Sequence, residues 1–167
     1  RVSLGWELEG SRVRAEYYDA LGRDDHTFLV RERGIANADS LVHAASYPRR
    51  WEVHWFKPLE KTEFIVGIST SGEVAFIRRQ LPEGEVGATI SKEEALKVSG
   101  AFLISRFGVD VSNTARYRLI ESVEDKKENR LDHRIVWERS DLKVGDGEFR
   151  LFVEVQGDDI GAVMAEF

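Results

Sequence analysis

The chain of 167 residues is long enough for one domain with a full core, or for two small units sharing one. With 42% hydrophobic and 32% charged residues it reads as a folded protein, and its net charge of -6 argues against a nucleic-acid surface, which needs clustered Lys and Arg. The absence of cysteine removes disulfides, thiolate zinc sites and thiol nucleophiles, and fits an extracytoplasmic location. No run approaches the ~18 apolar residues of a membrane span, and no signal-peptide pattern is present. The start at Arg1, without a methionine, suggests a piece of a longer protein.

Val2 to Glu9 alternates loosely, with Leu4, Trp6 and Leu8 on one side, as a strand or extended arm would. Arg12 to Tyr18 alternates again. Asp24 or Asp25 can cap a short helix through His26 to Arg33, ended by Gly34, and Asn37 can cap a second that ends before Pro48. Three strand patterns follow. Trp51, Val53 and Trp55 share one face, as do Phe64, Val66 and Ile68, and then Val74 and Phe76. Lys57-Pro58 and Ser71-Gly72 supply the turns between them.

The strongest local signal lies at Ile90 to Gly108. Ser91 with Glu94 three residues on is a capping box, Ile90 and Ala95 occupy the positions of a hydrophobic staple, and Gly108 offers a left-handed stop. Between them Ala95, Val98 and Phe102, with Leu96, Leu103 and Phe107, form an apolar face that must rest on a sheet. Alternation then resumes at 117–123, 131–139, 149–156 and 160–165, separated by an exposed polar turn at 124–130 and by Asp146-Gly147 and Gly157-Asp158-Asp159.

The fold class is therefore α+β, with helix packed on antiparallel sheet. A first unit spans 1–84, with two short helices and a three-stranded meander. A second spans 85–167, with the helix at 91–107 and a four-stranded meander; the two behave as one cooperative module. EFIVGISTSG at 63–72 and EFRLFVEVQG at 148–157 suggest a duplication, in which the two short helices are the counterpart of the central one.

Catalytic chemistry finds little support. His26, His43, His54 and His133 lack metal-ligand spacing, and Asp132-His133 point to opposite faces of a strand. Glu93-Glu94 is better explained by the dipole at a helix start, and neither a nucleophile elbow nor a phosphate loop is present. The expectation is no catalytic, metal or cofactor site. An interaction surface has candidates in Asn129, Arg130, Asp132, His133, Trp137, Glu138 and Arg139 on one strand and its approach, and in Trp55 and Phe56 on the comparable strand of the first half. One reading makes these core tryptophans with charges paired across strands; the other makes them a groove for a peptide or another part of the parent chain.

NRLDHRIVWER (129–139), WEVHWFKPLEKTEF (51–64), LPEGEVGATISKEEA (81–95) and VEVQGDDIG (153–161) resemble the soluble region preceding the membrane helices of some bacterial CPBP-type proteins, the CAAX-protease-like or Abi intramembrane metalloproteases. The repeat also resembles PepSY-like domains, α-β-β-β modules that regulate or inhibit proteases. The family's catalytic motif is not matched: its arginine, four residues after the second glutamate, is Val98 here. The resemblance implies a non-catalytic, extracytoplasmic accessory domain of a membrane-embedded parent. Its partner would be the rest of that parent or a peptide, whose access it positions or restrains. The alternative is a soluble ligand-binding domain with an aromatic-lined pocket between helix and sheet.

Overall fold

The computed structural model describes residues 4–19, 23–45 and 49–167. Eight strands form one antiparallel sheet: β1 (Arg12–Asp19), β2 (Arg49–Phe56), β3 (Glu63–Ser69), β4 (Val74–Gln80), β5 (Tyr117–Lys126), β6 (Leu131–Val144), β7 (Gly147–Gln156) and β8 (Asp159–Glu166). Helices α1 (Arg23–Arg33) and α2 (Ile35–Ala45) join β1 to β2, and α3 (Lys92–Phe107) joins β4 to β5. The spatial order is β1-β2-β3-β4-β8-β7-β6-β5. Each half is thus a four-stranded meander, and the halves join through their last strands, where Ile77 opposes Val163.

The alternation read from sequence places the core. Ile135, Trp137, Leu151, Val153, Val155 and Val163 share the face on which α3 rests. The helix starts and ends where its capping residues predict. Ser91 Oγ accepts from the Glu94 amide at 3.3 Å, and the Ser91 amide donates to Glu94 Oε2 at 2.9 Å. Those bonds hold the Glu94 carboxyl below its ordinary value. Gly108 takes φ 65°, and its amide donates to Ile104 O while that of Val109 donates to Leu103 O. The innermost stripe is Ala95, Ser99 and Leu103. A serine fits there because its hydroxyl donates back to Ala95 O at 2.7 Å.

Several expectations need correction. The first half has four strands, not three. Of the strand or extended arm expected at 2–9, residues 4–8 form the arm, with Trp6 packed on Phe64 at 4.8 Å between ring centres. Asn37 does not cap α2, which begins at Ile35. Gly34, at φ 76°, ends α1 and turns the chain directly into α2, where the Ala38 amide bonds to Gly34 O and Asn37 Nδ2 donates to Arg33 O. The short helices are not positioned as counterparts of α3. Leu29, Ala38 and Phe28 pack with Val144, Phe149 and Phe167 at the end of the β6–β7 hairpin, so they belong to the second half's core. Pro48 and the side chains of Asp24, Asp25, His26 and His43 lie outside the described residues. No described helix is long and apolar enough to cross a membrane.

Candidate functional site

The residues expected to form an interaction surface separate into three groups. Trp55 and Phe56 are half-buried on β2 and point to opposite faces. Five strand spacings divide β2 from β6, about 24 Å at the usual inter-strand distance. They therefore form no site with the β6 residues.

Arg130, Asp132, His133, Trp137 and Glu138 are buried. Three of them close the α3 N-terminal end. Arg130 Nε donates to both carboxylate oxygens of Asp132, at 2.9 and 3.1 Å, and its Nη1 donates to Pro82 O at 2.8 Å and Glu85 O at 3.0 Å. Asp132 Oδ1 also accepts the Gly157 amide. His133 Nε2 bonds to Ile90 O at 3.1 Å, which assigns the proton to Nε2 and leaves Nδ1 without a partner. Asn129, which is exposed, donates to Gly84 O. These side chains clamp the linker 82–90 against β6 as an internal latch, which favours the first of the two readings of this segment, core tryptophan with charges bonded within the chain. Burial of the guanidinium is tolerable because every bond it makes ends on a carboxylate or carbonyl of the same chain. Trp137 lies in the core and Glu138 pairs with Arg118 at 2.8 Å.

Arg139 alone of that set reaches a cavity. A groove of about 690 Å³ lies between the C-terminal end of α3 and strands β4, β7 and β8. Leu103, Tyr117, Leu151 and Val163, all buried, supply an apolar floor, and Phe107 and Phe149 its aromatic sides. Arg106, Arg116, Arg139 and Arg150 stand at the lining beside Glu73 and Asp110. Two of the four arginines share one carboxylate. Asp141 accepts from Arg139 Nε and Nη2, each at 2.9 Å, and from Arg116 Nε at 3.0 Å. Arg139 first, and Arg116 with it, hold the Asp141 carboxyl down at about 2. Both guanidinium groups also lie within 6 Å of the Tyr117 ring centre. Arg106 has no ion-pair partner among the described residues.

An aromatic-lined pocket between helix and sheet was the alternative drawn from the sequence, but of the residues that line this groove only Arg139 was among the named candidates. A basic residue in the last turn of a helix is what the dipole favours anywhere, so Arg106 carried no separate signal. Tyr117, Phe149 and Leu151 read as ordinary core positions; the helix end decides that they line a cavity. Among the described residues no group of three or more His, Asp or Glu side chains is placed to hold a metal ion. No family model, curated protein or solved structure matches the chain.

Proposed function

We propose that this chain is a non-catalytic recognition domain that binds, at the end of α3, an elongated apolar group terminating in a carboxylate. The observation that carries this reading is the groove itself: a cavity of ligand size with a buried apolar floor and Arg106 unpaired at its lining. An apolar chain would pack on that floor and against the Phe107 side of the groove, while a carboxylate would give Arg106 the charge-assisted bonds it lacks. An acyl chain and the C-terminus of an apolar peptide share this chemistry. The resemblance to CPBP-type proteins favours the peptide, since an accessory domain of a membrane-embedded parent could use the groove to position a substrate or restrain its access. In the same spirit we propose the two halves as PepSY-like units in tandem, a reading supported by the palindromic strand order and weakened by the placement of α1 and α2.

The test uses anilinonaphthalene sulfonate, an aromatic anion, as a fluorescent probe. One saturable site is expected, weakened about tenfold by Arg106→Glu. Trp51→Ser, on the distant part of the sheet, should leave it unchanged. Displacement by dodecanoate identifies an acyl ligand; displacement by an apolar peptide with a free C-terminus, and not by its amide, identifies a peptide. If neither displaces the probe, or Arg106→Glu leaves binding intact, the reading fails.

A further inference from the structure

The two outer edges of the sheet are built differently. β5 carries a register break between Leu119 and Glu121, an irregularity that keeps an edge from pairing, whereas charged residues are as frequent on β1 as on β5. β1 has neither a break nor a proline nor a lysine. It pairs with β2 in unbroken register from Arg12 to Asp19, and among the described residues no strand occupies its outer side. Its face on the α3 side also exposes apolar surface: Val13 is 60% exposed, Tyr17 49%, and Trp51, edge-on to Tyr17 at 5.5 Å, 48%.

We propose that β1 pairs with β1 of a second copy of this chain, antiparallel about a two-fold axis perpendicular to the sheet and passing midway between the two Ala15 residues. Such an axis keeps each face of the sheet continuous, so opposed residues must share a face. Centring on Ala15 sets Val13 opposite Tyr17 of the other copy on the aromatic side. On the other side it sets Arg14 opposite Glu16, twice by symmetry. The strand is thus complementary to itself in apolar contacts and in charge. Shifting the axis by one residue would oppose two guanidinium groups at Arg14 or two carboxylates at Glu16, so the alternation of charge disfavours both neighbouring registers. In the single chain Arg14 and Glu16 already bond to each other on the exposed face, where such a pair contributes little, and in the pair of chains each carboxylate faces two guanidinium groups. The contact is one strand wide, which makes it a reversible association.

Sedimentation velocity over a concentration series tests this. The weight-average mass should rise from one chain toward two. Arg14→Glu alone and Glu16→Arg alone should each remain monomeric, because each opposes like charges across the axis. An equimolar mixture of these two variants should regain the dimer, and so should the double variant R14E/E16R. These substitutions are on an exposed strand, and circular dichroism matching the parent chain verifies that each variant is folded. A wild-type chain that stays monomeric at every concentration, or a dimer indifferent to both single variants, overturns the proposal.

Discussion

The two ends of α3 use the same residue types to opposite effect. At its N-terminal end Arg130 and Asp132 are buried against each other, and the remaining guanidinium bonds are taken by carbonyls of the linker 82–85. At its C-terminal end, about 24 Å away along a 16-residue helix, Arg139 and Arg116 share Asp141 at the lining of a cavity, and Arg106 stands unpaired. At the first end the Arg130–Asp132 pair is sealed by bonds within the chain, so its charges are structural. The second retains bonding capacity next to apolar surface, and the proposed ligand site rests on that combination more than on the presence of arginine.

Breaking the closed end should cost the most. Arg130→Met leaves the Asp132 carboxylate buried without its cation, and chemical denaturation should read a loss of about 3–5 kcal/mol. Gly157→Ala acts on the same latch. Gly157 takes φ 68° where the Ala88 amide nitrogen would lie 2.9 Å from an added Cβ. A loss of about 2 kcal/mol is expected from strain and collision together. Ser91→Ala removes one side of the capping box, with a loss of about 1 kcal/mol in the same measurement.

The open end should respond in binding and hardly at all in stability. Arg106→Glu should change stability by no more than ~0.5 kcal/mol while weakening the fluorescent anion as described. Asp141→Asn sharpens the contrast in the other direction: it releases Arg116 and Arg139, and titration should show the same probe binding several-fold more tightly. Acid should act alike. Because the Asp141 carboxyl is held at about 2 in the folded chain against an ordinary 3.8, its stabilising contribution is complete above about pH 4. That contribution fades as pH falls through 2. A thermal-melt series over this range should therefore lose less stability in Asp141→Asn than in the parent chain.

Much of the fold was legible because local periodicity and capping are local physics. The α3 boundaries followed from Ser91, Glu94 and Gly108, and β2, β3, β7 and β8 from alternation bounded by turn residues. The polar run at 124–130 misled for a specific reason. Composition alone makes Arg130 a turn residue, yet the strand β5 continues to Lys126 and Arg130 is enclosed by the linker that crosses it. The helices α1 and α2 misled in a related way: that two short helices lie between β1 and β2 was readable, but not which surface would take them. Only Arg139 of the candidate surface lies at the groove, because a charged residue looks the same in sequence whether its partner is a carbonyl of its own chain or a ligand.

What the sequence by itself determined is the class of the protein, a capped helix on an antiparallel sheet, since side-chain period and helix ends are set by residues within a few positions of one another. Which strands meet across the middle, which charges are sealed in and where a cavity remains were decided only by the tertiary structure. Those outcomes depend on pairs far apart in the chain: Ile77 with Val163, Arg130 with Pro82, and the end of α3 with β8. No local pattern encodes such distances.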